Sequence, residues 1–108
     1  MKNANSVIET VTWRVNEGVS EEEMKSAVEL MLLDLKNLPG FIHETLSVNE
    51  TGQWLQLYYW ETAEDAHNSN QLMADKPSFA KLIALIQPDS VDIQVYRSIH
   101  ASSAIRFD

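Results

Sequence analysis

The 108 residues include no cysteine, three glycines and three prolines. Without a thiol there is no disulfide framework, no thiolate nucleophile and no zinc–cysteine site. The scarcity of glycine and proline, with no low-complexity tract, argues against disorder except at the ends. Positive charge is also in short supply: eight Lys and Arg stand against sixteen Asp and Glu, a net charge of −8. Those eight are scattered, whereas phosphate backbones and anionic bilayers are held by clustered cations, so nucleic acid and membrane are not expected partners. No apolar run approaches the roughly 18 residues of a spanning helix, and "MKNANSVIET" lacks the apolar core of a signal peptide. A cytoplasmic protein is expected. Nor is there a Gly-rich phosphate loop, a Ser-His-Asp constellation or a flavin fingerprint, and no cofactor is expected.

What is present is an ordinary globular composition, 44% hydrophobic, in a length that suits one domain. That domain spans 1–108, with a core over about 6–98 and a C-terminal extension over 99–108. Val7 to Val15 alternates and is rich in β-branched and aromatic types, which predicts a strand. Ser20 followed by Glu23 is a capping box. Glu21, Glu22 and Glu23 suit the positive end of a helix whose apolar positions run from Met24 to Leu38, where "LPG" stops it. Ile42 to Val48 and Trp54 to Trp60 flank the turn "NETGQ" and predict a hairpin. Thr62 with Asp65 caps a second helix that breaks near Pro77, resumes as the amphipathic "SFAKLIALI" and is closed by Pro88. Val91 to Tyr96 supplies a fourth strand. The order is βαββαβ, whose compact solution is an α+β, ferredoxin-like, four-stranded antiparallel sheet with the helices on one face.

Strand parity then divides the side chains into two sets. One is apolar: Val11, Trp13 and Val15, Leu46 and Val48, Leu55, Leu57 and Tyr59, Val91, Ile93 and Val95. The other is polar yet aromatic: Thr10, Thr12 and Arg14, His43, Thr45 and Ser47, Gln56, Tyr58 and Trp60, Asp92, Gln94 and Tyr96. The simple assignment places the apolar set beneath the helices, where each large side chain contributes about 1.5–3 kcal/mol. The second set is then too aromatic for plain solvent surface. Two sheets packed about a twofold axis would cover both copies, so a homodimer approximating a barrel is expected.

The histidines, His43, His67 and His100, lack the i, i+4 spacing of helical metal sites, and no metal site is expected. His67, just past the aromatic strand, is the candidate general base. Arg14 is a candidate carboxylate anchor. Met24, Met31 and Met73 suit core packing and adaptable cavities.

The βαββαβ order, "LPGF" at 38–41, "TGQWLQLYYWETAEDA" at 51–66 and "FAKLIALIQPDSV" at 79–91 together resemble the dimeric α+β barrel superfamily, and within it the antibiotic-biosynthesis-monooxygenase-like proteins. The resemblance covers roughly residues 6 to 98. It implies a homodimer with a cavity between sheet and helices in each subunit, and directs Gln56, Tyr58 and Trp60 toward the helices, with the aliphatic set at the dimer interface instead. Members include cofactor-free monooxygenases of anthrone-like or quinol substrates. In these an asparagine four residues before the strand-ending tryptophan, that tryptophan and a nearby tyrosine contact substrate. Trp60 matches the tryptophan, Gln56 stands in place of the asparagine, and Ala66 or His67 in place of the tyrosine. The haem-degrading branch uses a histidine in the second helix and a first-strand asparagine; "SFAKLIALI" has no histidine and the first strand no asparagine before Asn16.

The resulting candidates are His67 and Tyr58 as catalytic groups, and Gln56, Trp60 and Arg14 as substrate-binding groups. Three readings stay open: a cofactor-independent monooxygenase of a small aromatic or quinol, a non-catalytic dimeric protein that binds a small hydrophobic or aromatic ligand, and a structural protein with its aromatics buried at the dimer seam.

Overall fold

The computed structural model describes residues 6–103, so the expected C-terminal extension falls partly outside the described residues. The elements are β1 (Val7–Trp13), α1 (Glu21–Leu35), β2 (Phe41–Val48), β3 (Trp54–Trp60), α2 (Ala63–Met73), α3 (Pro77–Ile83), a 3-10 turn (Pro88–Ser90) and β4 (Asp92–Arg97). The four strands form one antiparallel sheet in the order β2-β3-β1-β4, and the three helices cover one side of it. This is the ferredoxin-like arrangement that the element order predicts. None of the described helices is long and apolar enough to cross a membrane.

Local chemistry accounts for the boundaries. Ser20 Oγ accepts from the Glu23 backbone N–H while the Glu23 carboxylate accepts from the Ser20 N–H, the full capping box. At the other end α1 stops at Leu35, earlier than "LPG" suggests, because the chain tightens: Asn37 and Leu38 donate to Asp34 and Leu35, three residues back. Thr62 Oγ1 accepts from the Asp65 N–H and starts α2. Pro77 divides the second helical region. α3 then runs only seven residues rather than through all of "SFAKLIALI", since Ile86 leaves the helix to bridge Val15 beyond the end of β1.

Gly40 enters β2 with φ +80°, a left-handed value that L side chains resist. An added Cβ there would collide with the Asp65 carboxylate, and Gly40 O accepts from the Glu61 N–H at 2.8 Å. The start of the hairpin is thereby locked to the start of α2. A bulge between Phe41 and His43 then turns Phe41 inward against Trp60, edge to face at 5.7 Å.

The register corrects the expected division of faces. Val7, Glu9, Val11 and Trp13 of β1 pair with Trp60, Tyr58, Gln56 and Trp54 of β3, so odd positions of β1 share a face with even positions of β3. The helix-covered face therefore carries Val11, Trp13, Leu46, Ile93 and Val95 as expected from their apolarity, but also Gln56, Tyr58 and Trp60. Leu55, Leu57 and Tyr59 fall on the uncovered face with Thr10, Thr12, Thr45 and Gln94. Neither the simple assignment nor its inversion holds for all four strands: parity sorts one strand at a time, and only pairing sets the phase between strands.

Candidate functional site

Reading across the sheet, one row on the helix-covered face runs Glu44, Tyr58, Glu9, Val95, and the next runs Leu46, Gln56, Val11, Ile93. Polar side chains thus occupy the centre of a face otherwise built from tryptophans and aliphatics. Glu9 is 1% exposed, Gln56 2% and Tyr58 4%. Buried polar groups at this density require partners. Glu9 Oε1 accepts the indole N–H of Trp60 at 2.9 Å, and Oε2 has a longer contact of 3.4 Å with the Asn70 amide of α2. Gln56 Nε2 donates to Glu44 Oε2 at 3.0 Å. The Tyr58 hydroxyl makes no hydrogen bond among the described residues.

Between this part of the sheet and the helices lies a cavity of about 190 Å³. Its floor is Glu9, Val11, Trp13, Gln56 and Tyr58; its roof is Met31, Met73, Phe79, Leu82 and Ile86. Ile83, Val91 and Ile93 also line it, and all three are exposed, so the opening lies between α3 and β4 with an apolar lip. Trp13 stacks on Trp54 at 6.5 Å, and its indole N–H, although buried, meets no acceptor among the described residues. Among the described residues, the cavity wall thus carries a buried indole N–H with no acceptor, that of Trp13, and a phenol, that of Tyr58, with no hydrogen bond.

A larger groove of about 390 Å³ lies between α1 and the edge strand β2. Glu21, Glu22 and Glu29 on its walls are exposed, solvated carboxylates, so the groove offers acidic surface rather than a desolvated site. Among the described residues, no group of three or more His, Asp or Glu is arranged to hold a metal ion.

Electrostatics distinguish the inner site. Burial pushes the Glu9 carboxyl above its ordinary 4.5, while hydrogen bonds from Trp60 and Asn70 and the nearby His67 pull it partly back. Burial, together with Glu44 and Glu9 on either side, raises the Tyr58 phenol well above its usual range. Tyr58 is therefore a persistent hydrogen-bond donor and cannot act as a base near neutral pH.

Of the five residues singled out from sequence, Tyr58 and Gln56 line the cavity. Trp60 is fully buried behind Glu9, as a positioning donor to its carboxyl rather than a surface for a ligand. His67 is exposed on α2 and does not line the cavity. Arg14 lies beyond the end of β1, where its guanidinium donates to the Thr51 carbonyl at 2.7 Å, away from the site. The residue that sequence reasoning missed is Glu9. Its signal was a carboxylate in phase with Val7, Val11 and Trp13, an acid on an otherwise apolar strand face. With Tyr58 and Trp60 turned to the helices and a cavity beside Tyr58, the reading that puts these aromatics at a dimer seam with no cavity is also overturned.

No family model matches the sequence and no curated protein does. Solved structures do. SnoaB, a cofactor-independent oxygenase from Streptomyces nogalater, superposes with a TM-score of 0.70 at 13% identity, covering 91% of this chain and 97% of that one. A Bordetella bronchiseptica protein named after the antibiotic biosynthesis monooxygenases gives 0.77 at 11% identity over 89% and 99% of the two chains. A similarly named protein from Caulobacter crescentus gives 0.71 at 14% over 89% and 92%. The chain therefore shares the ferredoxin-like α+β fold of these solved structures.

Proposed function

We propose that the protein is a homodimeric, cofactor-independent monooxygenase of a single-ring, electron-rich aromatic such as a quinol. The observation that carries this reading is the cavity: largely apolar in its roof, where Ser69 and Asn70 are the polar exceptions, with the buried carboxyl of Glu9, the phenol of Tyr58 and the amide of Gln56 in its floor. SnoaB, which shares the fold, is described as a cofactor-independent oxygenase, and that description gives the reading its reaction type.

Volume narrows the substrate. A protein cavity of about 150 Å³ lined by apolar side chains accommodates benzene. The 190 Å³ here suits one substituted ring and not three fused ones. Quinols are therefore favoured over anthrones. A hydroquinone and one O₂ yield a hydroxyquinone and one water: the ring gives up four electrons, one oxygen atom enters the ring and the other leaves as water. The first requirement is removal of a phenolic proton to create an electron-rich anion, and the carboxyl in the cavity floor, Glu9, is the available acceptor. Tyr58, held neutral, donates to the resulting oxyanion, and the apolar roof excludes bulk water. His67 and Arg14 do not line the cavity, although His67 lies near enough to act on the Glu9 charge.

A dimer formed through the uncovered sheet face would cover Leu55, Leu57 and Tyr59 and brace the floor from behind. Oxygen uptake with methylhydroquinone, and incorporation of one atom of labelled oxygen into product, tests the reading. Absence of uptake across a panel of single-ring quinols, or undiminished uptake in Tyr58→Phe and Glu9→Gln, would refute it.

A further inference from the structure

We propose a second activity for the same cavity, independent of oxygen: Glu9 transfers a proton between carbon atoms of a single-ring ketone, with Tyr58 donating to its enolate oxygen. The inference shares the cavity with the oxygenase reading but does not depend on its redox chemistry.

Three features of the geometry carry it. Glu9 and Tyr58 are direct partners in the β1–β3 ladder and both line the cavity floor, so a carboxyl and a phenol face one ligand from adjacent strands. Each has a distinct unoccupied capacity. Glu9 is fixed through Oε1 by the 2.9 Å bond from Trp60, whereas Oε2 has, among the described residues, only the 3.4 Å contact from Asn70 and retains lone pairs for a proton. The Tyr58 O–H donates to nothing among the described residues. The third feature is the Trp13 N–H, a second unpartnered donor in the same floor.

A ring ketone with its carbonyl oxygen on Tyr58 presents its α carbon to Glu9. The carboxylate takes the α proton, the C–H electron pair becomes the C=C bond of the enolate, and the carbonyl electrons move to oxygen. In a β,γ-unsaturated ketone the electrons extend into a dienolate; Glu9 then returns the proton to the γ carbon, giving the conjugated isomer. Nothing is oxidised or reduced, and no co-reactant enters. The negative charge passes from Glu9 to the enolate and back within one desolvated chamber, so no new buried charge is created. The burial that makes Glu9 more basic than a surface carboxylate assists the first transfer, and a neutral Tyr58 assists the enolate.

Glu9's titration is set first by burial, then by the hydrogen bonds from Trp60 and Asn70 and by His67 of α2; Tyr58 faces it from β3, with Glu44 of β2 beyond. On β4 its direct partner is the uncharged Val95, with Arg97 one pair along on the same face.

The test is anaerobic isomerisation of β,γ-cyclohexenone, followed by the absorbance of the conjugated ketone. Wild type is expected to exceed the buffer rate, with a rate that rises as pH climbs through the Glu9 titration and then levels off. Glu9→Gln is expected to lose about 100-fold or more, Glu9→Asp to retain part of the rate, and Tyr58→Phe to lose about 100-fold. Should Glu9→Gln fail to fold, the wild-type pH profile and Tyr58→Phe decide. A wild-type rate no greater than buffer, a rate indifferent to pH, or a Tyr58→Phe protein as fast as wild type overturns the proposal. Isomerisation without oxygen uptake on quinols refutes the oxygenase alone; oxygen uptake with no isomerisation refutes this proposal alone.

Discussion

The two buried indoles at opposite ends of the site give a controlled comparison. Trp60 is 0% exposed and Trp13 1%, and both project from the same face of the sheet. Replacing either with phenylalanine removes the same atoms, so the transfer and cavity costs are alike, about 1–2 kcal/mol each. What differs is the N–H. In Trp60→Phe the 2.9 Å bond to Glu9 is lost, which costs about a further 1.5–3 kcal/mol for a bond to a charged group. In Trp13→Phe a donor that had no acceptor disappears, and relief of its desolvation returns about 1–3 kcal/mol. Trp60→Phe should therefore be destabilised by about 3–4 kcal/mol and Trp13→Phe be close to wild type, a gap of about 3 kcal/mol within a total of roughly 5–15. Equilibrium urea unfolding reads this directly: with m about 1–3 kcal/mol per molar, the two midpoints should separate by about 1–3 M. Equal midpoints would refute the argument, because they would mean that the Trp13 N–H is as well satisfied as that of Trp60. If Trp13→Phe is as stable as wild type yet binds a ring ketone or quinol more weakly, its unpaired donor serves the ligand rather than the fold.

Other expectations concern charge, backbone and assembly. Glu9's folded-state carboxyl holds its proton to higher pH than the unfolded chain does, so its contribution to stability is full below about 4.5 and is lost as pH rises through the folded-state value. Glu9→Gln cannot ionise and should gain on wild type across that window; thermal unfolding from acid to neutral pH in which wild type gains instead would contradict the sign. Gly40→Ala should cost at least about 1–2 kcal/mol from the left-handed backbone alone, more from collision with Asp65, and Asp65→Ala should restore only the collision part. Leu57→Lys places a charge on the uncovered face. Sedimentation equilibrium should show a wild-type dimer and a folded Leu57→Lys monomer, and a monomeric wild type would remove the case for sheet-to-sheet assembly.

Elements were more legible in the sequence than their mutual phase. The capping pairs Ser20–Glu23 and Thr62–Asp65, the "NETGQ" turn and the alternation of Trp54–Trp60 mark ends and periods that depend on neighbours a few residues apart, and these appear where expected. Which side of β3 meets the helices depends on Val11 pairing with Gln56, a contact across 45 residues that no local pattern encodes. Both sides of β3 are plausible interiors, one bearing Leu55, Leu57 and Tyr59 and the other Trp54, Tyr58 and Trp60. Hydrophobicity favoured the wrong one because Gln56 and its neighbour Glu9 are polar groups placed inward, against the rule that patterning obeys elsewhere. Tyr58 and Gln56 were found through their aromatic and polar company. His67 was singled out for its place just past the aromatic strand and Arg14 as a carboxylate anchor, and neither lines the cavity.

The ceiling over the chamber is assembled from separate pieces, unlike its base. Met73 belongs to α2, whereas Phe79 and Leu82 belong to α3, and Pro77 stands between them. α3 is under two turns long and begins at Lys76 with no side-chain cap, while β1 is hydrogen-bonded along both edges. Short uncapped helices open at far lower free energy than central strands. Backbone amides of 80–83 should therefore exchange with deuterated solvent well ahead of those of 8–12. Such exchange would mark α3 as the part of the ceiling that opens first, while Glu9 and Tyr58 stay in register on the sheet.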